Sequence, residues 1–341
     1  MKSRNGVHNH VVAVDLLGGD NAPEAIIDGL LEAAGTGVDI LALGDGEAIS
    51  ILEKKGRPDN VKTLLCSERI LPEEPPVKAI REKKDSTITR GLEAVKEGKA
   101  GAFVSAGSTG ALVAGGALIV RRASGVDKPC LGTVLPSQNG RGVLFVDLGA
   151  SSDVRPETLV QFGVMGKIYA EKVLGWDDPK VALLNIGTEP DKGSLLARKA
   201  YELMQEAPFT FIGNIEARDV FSGAADVVVT DGFTGNVFLK TCEGTAAFQF
   251  QTIKRELTRD FRSRIGALLL RPAFKRAREV LDYTTYGGAP LLGLQGCVVK
   301  CHGSSSAKAI ANGIRQALKF LDNDVATVIA TTLSHVSDEG E

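Results

Sequence analysis

The sequence predicts an α/β fold in which helices cover both faces of a mainly parallel sheet. Short apolar runs recur along the chain, and most end at a glycine-rich turn that leads into a helical pattern. This alternation is typical of parallel strands joined by helical crossovers. The 341 residues can bury a large core. We therefore predict one α/β unit over residues 11–332, with a loose N-terminus (1–10) and a flexible tail (333–341).

The first unit is a strand over residues 11–15, a turn with two glycines, and a helix that continues through Ala34. Such a turn can present backbone N–H groups to an anion. It supplies the candidate substrate-binding residues Asp15, Gly18, Gly19 and Asp20.

The same pattern continues with the strand DILALGDG, a helix that ends near Lys55, and a weak strand around VKTLLCS. Residues 71–90 interrupt it with three prolines and dense mixed charge, and we expect an ordered loop and one helix there. The segment is either a solvated surface or a place where basic residues receive an anionic partner. Those basic residues are Lys78, Arg81, Lys83 and Lys84.

A second glycine-rich turn follows the apolar strand AFVS and precedes a long helix of small residues. Hydroxyls and glycines at a helix N-terminus favour an anion, because unpaired N–H groups and the macrodipole point outward. Glycine turns serve packing as often, so this motif alone is weak. It supplies the candidates Gly107, Ser108, Thr109 and Gly110.

Three more strands are predicted in the middle of the chain, within GVLFVDLGAS, VALLNIG and FTFIGNIEARD. Helices are predicted over residues 156–174 and over LLARKAYELM.

The segment Ala225–Lys240, ADVVVTDGFTGNVFLK, is an apolar run that stops at an acid, after which Gly232 and Gly235 bracket a predicted short loop. Ligands bind at the carboxyl ends of parallel strands, so we expect Asp231, Thr234 and Asn236 to face the pocket. The alternative is an ordinary strand-to-helix turn in which Asp and Asn merely cap the helix.

Two features distinguish the C-terminal third. Residues 254–279 carry nine Lys/Arg against three Asp/Glu, and Pro272 is expected to split them into two amphipathic helices. The final unit is a strand, a Gly-Ser turn and an amphipathic helix. Its turn supplies the candidates His302, Gly303, Ser304 and Ser305.

Composition narrows the possible functions. The net charge of −2 gives no global attraction to nucleic acid. Five cysteines lie scattered without a CxxC pair, which indicates a reduced cytoplasmic setting. Cys297 and Cys301 stand beside His302, but without a second pair we expect buried thiols and no metal. No apolar run approaches the roughly 20 residues that span a bilayer. The turn GGDNAP does not match the dinucleotide-binding fingerprint, which agrees with our expectation of no cofactor.

Several motifs occur together and in order between about residue 11 and residue 320. They are DLLGGDNAPEAIIDG, AIREKKDSTITRGLEAVKEGKAGAFVSAGSTGAL, LPSQNGRGVLFVDLGAS, LVQFGVMGKIYAEKVLG, VALLNIGTEPDKGS, FIGNIEARDVFSG, ADVVVTDGFTGNVFLKTCEG, YGGAPLLG and HGSSSAKAI. Together they resemble PlsX, the bacterial acyl-acyl carrier protein:phosphate acyltransferase. Two departures are Leu16-Leu17, where the family often has Ala-Met, and Ser108, where Asn is usual. A serine hydroxyl can also hydrogen-bond phosphate.

The resemblance implies a three-layer α/β/α sandwich like that of the isocitrate and isopropylmalate dehydrogenases and the phosphotransacetylases, acting as a homodimer. It implies that inorganic phosphate attacks long-chain acyl carrier protein to give acyl-phosphate for phospholipid synthesis. Lys192 and Asn236 match the family's presumed catalytic lysine and asparagine; otherwise they are a surface lysine and a turn asparagine.

The resemblance also suggests attachment to the inner face of the cell membrane, where a glycerol-3-phosphate acyltransferase would take the product. The segment 254–279 would then form an exposed tip that touches an anionic membrane surface or lines the acyl channel. Its apolar residues are Phe261, Ile265, Leu268 and Leu269. The alternative for this segment is a dimer contact or a solvated face.

Three other functions remain open from the residues alone. One is a phosphate acyltransferase for short acyl-CoA, which would use the same chemistry. Another is a dehydrogenase of the related fold, which would need metal-binding aspartates and a cofactor loop. The last is a noncatalytic membrane-docking protein.

Overall fold

The computed structural model describes residues 10–281 and 287–338. Within these residues, eleven strands form one sheet. They are β1 (Val12–Asp15), β2 (Ile40–Gly44), β3 (Val61–Leu65), β4 (Ala102–Ser105), β5 (Cys130–Leu135), β6 (Val143–Val146), β7 (Val181–Asn185), β8 (Phe211–Glu216), β9 (Val227–Val229), β10 (Ala289–Leu292) and β11 (Cys297–Lys300).

Eleven α-helices surround the sheet in the same described residues. They are α1 (Glu24–Ala34), α2 (Gly46–Lys54), α3 (Pro76–Glu82), α4 (Thr87–Lys96), α5 (Thr109–Gly115), α6 (Pro156–Tyr169), α7 (Leu195–Met204), α8 (Gly232–Leu257), α9 (Phe261–Leu281), α10 (Ala307–Asp322) and α11 (Val325–Asp338). Helices α5 and α6 each continue into a π-helical turn, at Gly116–Val120 and Ala170–Leu174. A 3₁₀ turn lies at Val220–Ser222.

The strand order is β3-β2-β1-β4-β11-β10-β5-β6-β9-β7-β8. Strand β10 runs antiparallel to β11 and β5, and β5 runs antiparallel to β6, whereas the other neighbours are parallel. The predicted α/β fold with a mainly parallel sheet is therefore confirmed. The sequence reading missed β5 and β10, because no helix follows either strand to mark it.

Side chains on alternate positions of a strand enter different cores, which makes the fold three-layered. Val12 and Val14 of β1 belong to a core that also holds residues of helices α1, α6, α10 and α11, whereas Ala13 belongs to a core with residues of α3, α4 and α5. A third cluster joins Phe145 of β6 to Phe238 of α8, whose rings stack with centroids 4.9 Å apart. Helices thus cover both faces of the sheet, as expected of buried parallel strands.

Residues 71–90 contain two helices rather than the single one predicted. Ser86 separates them, because its hydroxyl accepts a hydrogen bond from Thr89 N at 3.2 Å and caps α4. Lys83, one of the candidate anion-binding residues, is already paired with Glu74 at 2.6 Å. This pairing favours a structural role for Lys83.

The predicted loop bracketed by Gly232 and Gly235 is wrong, since α8 begins at Gly232 and contains both glycines. The predicted split at Pro272 is also wrong, because Pro272 lies inside α9. The break falls at residues 258–260, where Asp260 accepts hydrogen bonds from Ser263 N at 2.9 Å and starts α9. Residues 254–279 therefore belong to two helices, but with a different junction.

The end of the chain also differs from expectation. Helix α11 extends to Asp338, so residues 333–338 of the predicted tail are helical. Leu333 is buried because it packs into the core that covers one face of the sheet. The remainder of the tail, 339–341, and residues 1–9 of the predicted loose N-terminus lie outside the described residues.

Across the described ranges, no helix combines the length and the apolar character that a bilayer crossing would require.

Candidate active site

Strands β1, β4 and β11 are neighbours and run parallel, so the turns that follow them meet at one edge of the sheet. A cavity of about 580 Å³ opens there, between these turns and helix α8. This is the position at which open α/β sheets bind ligands. The predicted residues that line it are Asp15, Gly18, Gly19, Asp20, Gly107, Ser108, Thr109, Gly110, Asn236, His302 and Gly303.

The three turns touch one another through their backbones. A Cβ on Gly18 would lie 2.6 Å from Gly107 N, and one on Gly19 would lie 2.8 Å from Gly303 O. Gly19 also has a φ of +97°, which disfavours residues with a side chain. The glycines are therefore required for the close packing of the turns, which makes the rim of the cavity largely backbone.

Asp15 lies on the floor of the cavity and is almost fully buried. Its Oδ1 accepts a hydrogen bond from Leu17 N at 3.0 Å, and its Oδ2 accepts one from the Ser105 hydroxyl at 2.7 Å. Burial raises the pKa of this carboxyl, although the hydrogen bonds oppose the shift. Asp15 thus ties the first turn to the second, and both its oxygens are engaged.

His302 lies at the mouth of the cavity. Its Nδ1 accepts a hydrogen bond from Ser304 N at 3.2 Å, so in the neutral ring the proton is on Nε2. Nε2 lies 3.8 Å from Glu243 Oε1. Burial lowers the pKa of His302, while the Glu243 carboxylate acts in the opposite direction. The ring can therefore present an N–H donor toward the cavity.

Ser304 and Ser305 lie behind this rim rather than in the cavity lining. Their carbonyl oxygens accept hydrogen bonds from Asn21 Nδ2, at 3.1 and 3.3 Å. Ser306, not predicted as a site residue, caps helix α10 by accepting from Ala309 N at 3.3 Å. The Gly-Ser turn is thus held by its backbone.

Helix α8 separates this cavity from a second one of about 470 Å³. Asn236 faces the first cavity, where its Cβ would lie 3.6 Å from a Cβ on Gly149. Asp231 and Thr234 face the second cavity, so the prediction that all three share one pocket is wrong. The reason is helical geometry, because positions two apart point to opposite sides of a helix.

Asp231 has the capping role that the sequence left open. Its Oδ1 accepts hydrogen bonds from Phe233 N at 3.0 Å and Thr234 N at 2.8 Å, and its Oδ2 accepts one from the Thr234 hydroxyl at 2.6 Å. These bonds satisfy N–H groups that the first helical turn leaves unpaired. Asp231 therefore fixes the start of α8 and with it the direction of Asn236.

Lys192 lies in the loop between β7 and α7. Its carbonyl oxygen accepts a hydrogen bond from Asn185 Nδ2 at 3.1 Å, and Gly193 beside it has a φ of +88°. Among the described residues, no hydrogen bond joins Lys192 to Asn236, and Lys192 is outside the lining of the first cavity. Its catalytic role remains a prediction.

Sequence reasoning missed three cations in the cavity wall, of which Lys240 is paired with Glu243. Arg69 donates from Nη2 to Gly19 O at 3.3 Å, and Lys300 is the last residue of β11. Both line the cavity. The position of Lys300, directly after the apolar run CVV and before the Gly-Ser turn, was a usable signal because ligands meet the carboxyl ends of strands. Arg69 gave no such signal.

Asp147, at the end of β6, organises the wall opposite the turns. Its buried carboxylate accepts four backbone hydrogen bonds, from Leu131 N, Gly149 N, Ala150 N and Ser151 N, at 2.7–3.2 Å. Burial nevertheless raises its pKa to about 6. The loop that it holds contacts the first turn of α8, where Gly232 N donates to Ser151 O at 2.8 Å.

This raised pKa makes the protein's stability depend on pH. The folded state retains a proton that the unfolded chain has released, so the free energy of unfolding should fall as the pH rises through this range. Relative to Asp147→Asn, the free energy of unfolding of the wild type should fall by about 2 kcal/mol between pH 4 and pH 6, and should change little above pH 6. Denaturant unfolding of both proteins across this range measures the difference. Parallel curves would contradict the raised pKa.

Cys297 and Cys301, which stand beside His302 in the sequence, lie in the core of the protein. Cys297 and Cys301 are buried, and burial raises the pKa of both thiols, which disfavours the thiolate that a metal needs. Over the part of the chain that is described, no three His, Cys, Asp or Glu side chains come together as a metal site. The expectation of buried thiols is confirmed.

The fold and the position of the cavity define an α/β protein of the phosphotransacylase fold class. A phosphotransacetylase from Streptococcus pyogenes superposes with a TM-score of 0.63 over 92% of this chain and 94% of that one, at 16% identity. A branched-chain phosphotransacylase from Enterococcus faecalis superposes with a TM-score of 0.57 over 92% and 99%, at 15% identity. At such low identity, these likenesses concern the fold alone.

Sequence comparison defines the family. The family described as "Fatty acid synthesis protein" matches residues 10–328. The phosphate acyltransferase of Alkaliphilus oremlandii is 47% identical over 96% of this chain and 98% of its own length. That of Brevibacillus brevis is 44% identical over 94% and 97%. The chain belongs to this family, the phosphate acyltransferases called PlsX.

Proposed function

We propose that this enzyme transfers a long-chain acyl group from the thioester of acyl carrier protein to inorganic phosphate. The observation that supports this most is the meeting of three glycine turns around one cavity, with backbone N–H groups, cations and Asn236 at its wall. Such a rim suits a small dianion, because its donors are fixed before the ligand arrives. Apolar residues in the same cavity suit an acyl chain, among them Ile70, Leu131, Val134, Leu148 and Leu239.

The reaction needs no covalent enzyme intermediate. A phosphate oxygen attacks the thioester carbonyl, the tetrahedral oxyanion forms, and the C–S bond breaks to release the carrier thiolate. We propose that Asn236 and Lys192 stabilise the oxyanion, and that the turn residues and the Gly-Ser turn hold the phosphate. The thiolate is a reasonable leaving group near neutral pH, so a strong general acid is not required.

A comparison of possible substrates tests this function. Purified enzyme with phosphate should form acyl-phosphate from palmitoyl carrier protein, and much less from acetyl-CoA. Equal use of acetyl-CoA would favour the short-chain phosphate acyltransferase. Reduction of NAD with a hydroxy acid, and no acyl-phosphate, would favour the dehydrogenase.

A homodimer is part of the proposal. Two large apolar side chains that line the second cavity are exposed, namely Ile186 and Val237. Exposed apolar clusters of this kind mark contact surfaces, and a second copy of the chain would cover them. Sedimentation equilibrium measures the mass directly, and a monomer would contradict this part of the proposal.

Attachment to the inner face of the membrane is proposed for the junction of α8 and α9. Its apolar residues protrude: Phe261, Leu268 and Leu269 are 77%, 69% and 76% exposed, and Ile265 is 48% exposed. The same segment of the chain carries six exposed basic residues: Arg259, Arg262, Arg264, Arg271, Lys275 and Arg276. Apolar area together with roughly 1 kcal/mol per basic residue gives reversible binding to an anionic surface. Release there would bring the product to the membrane glycerol-3-phosphate acyltransferase.

The change Leu268→Glu with Leu269→Glu should abolish binding to anionic vesicles, because it removes exposed apolar area and adds like charge at the bilayer surface. Co-sedimentation with phosphatidylglycerol vesicles measures the effect, and high salt should weaken the wild type. Lys319→Glu in α10 is a control for added negative charge. A double variant that still pellets with vesicles, or that loses its dimer instead, would identify this surface as a subunit contact.

A further inference from the structure

We infer that Lys300 is the cation that binds the attacking phosphate, an assignment that rests on the proposed function. Lys300 ends β11, in register with Ser105 at the end of β4. Its side chain lines the cavity beside Gly107, Gly303 and His302. It thus stands at the point where the second and third glycine turns meet.

The hydrogen bonds of Lys300 leave capacity for a ligand. The ammonium donates to Ala106 O at 3.5 Å and to Cys301 O, both of which are main-chain carbonyls. An ammonium group has three N–H donors. A third donor is therefore available to an oxyanion in the cavity, while the two carbonyls hold the group in place.

The charge on Lys300 is not neutralised by a close carboxylate. In the described ranges, no Asp or Glu oxygen lies within 4.0 Å of its ammonium, whereas Lys240 in the same cavity is paired with Glu243 at 2.7 Å. The carboxylate of Asp15 is engaged by Leu17 N and Ser105. Asp20 and Asp15 act on the Lys300 ammonium only at longer range. A partly desolvated charge with no carboxylate in contact is costly, and an anionic ligand would offset that cost.

Its surroundings indicate which anion this is. Burial lowers the pKa of Lys300, which an anion beside the ammonium would reverse. The turns that line the same cavity carry glycine at Gly19, Gly110 and Gly303, so a small tetrahedral oxyanion can approach both the ammonium and the main chain of these turns. The geometry therefore fits inorganic phosphate better than the bulky thioester.

Thermal unfolding of the full chain in rising inorganic phosphate, at constant ionic strength with chloride, tests this assignment. Bound phosphate stabilises the folded state, so the melting temperature of the wild type should rise with phosphate. Lys300→Gln and Lys300→Met should each need about 10- to 100-fold more phosphate for the same rise, as expected when a charge-assisted hydrogen bond is lost. Lys308→Gln, an exposed lysine in the first turn of α10, is the charge-matched control and should behave as wild type.

The outcomes separate the possible roles. A KM for phosphate that rises far more than the KM for acyl carrier protein would support the assignment. An unchanged phosphate dependence in the Lys300 variants would overturn it, even if their melting temperatures were lower, because Lys300 would then only tie the turns together. If the wild type formed no acyl-phosphate but bound phosphate through Lys300, the proposed function would fail and the binding site would stand.

Discussion

Asn236→Ala is expected to lower the turnover of acyl-phosphate formation by about 100-fold or more, because it removes a donor to the developing oxyanion. Asn236 faces the cavity from the second turn of α8, beside Gly149. Its side chain is exposed, so the fold should be unaffected. Lys192→Ala is expected to have an effect of the same size for the same reason. Steady-state kinetics of the purified variants measure both.

Thr241→Ala is the matched control, since Thr241 is on the same helix but faces the second cavity. It should keep wild-type turnover. Folded Asn236 and Lys192 variants with near wild-type turnover would show that the catalytic assignment is wrong. A loss only in the Asn236 variant would leave Lys192 as a surface lysine of the loop between β7 and α7.

Gly235→Ala is expected to destabilise the protein by at least about 3 kcal/mol, at the upper end for overpacking. An added Cβ would lie 2.0 Å from Asp147 O and 2.9 Å from the Thr230 methyl group. The clash is with a main-chain carbonyl in the loop that Asp147 holds, so a side-chain rotation cannot relieve it. Denaturant unfolding measures the change in free energy.

Gly244→Ala is the control on the same helix, because a Cβ at Gly244 would meet nothing within 4 Å. Alanine has a helix propensity up to about 1 kcal/mol better than glycine, so this change should be neutral or stabilising. Equal destabilisation by both substitutions would contradict the clash with the Asp147 loop as the cause, because a Cβ at Gly244 meets no neighbour.

Much of the fold could be predicted because apolar runs, glycine turns and helical periodicity alternate regularly. The prediction failed where the structure is determined by contacts that the local sequence pattern does not show. Strand β5 is joined to β6 without a helix, so it lacked the expected pattern. Pro272 signals a helix break, yet the break is set by the Asp260 cap some twelve residues earlier. Leu333 packs into the core and holds the end of the chain there. The polar composition of the last residues predicted a flexible tail instead.

The site was predicted in part for a related reason. A glycine-rich turn directly after an apolar run is recognisable in the sequence. Gly18, Gly107 and Gly303 could therefore be predicted without knowledge of the contacts between the turns. The direction of a side chain depends on where a helix begins, and Asp231 sets that start one residue before Gly232. This is why Asp231 and Thr234 were assigned to the wrong cavity. The strand-end position of Lys300 was a signal that sequence reasoning did not use, and only the described three-dimensional neighbours show that no close carboxylate pairs with its ammonium.

The central claim is that inorganic phosphate is the acyl acceptor in this cavity, and ³¹P NMR of a reaction with palmitoyl carrier protein tests it most directly. The account predicts a new acyl-phosphate resonance that grows as inorganic phosphate is consumed, with one free carrier thiol released per acyl-phosphate formed. It also predicts that the resonance fails to appear at a comparable rate with Asn236→Ala. Thiol release without any acyl-phosphate resonance would mean simple thioester hydrolysis and would contradict the account.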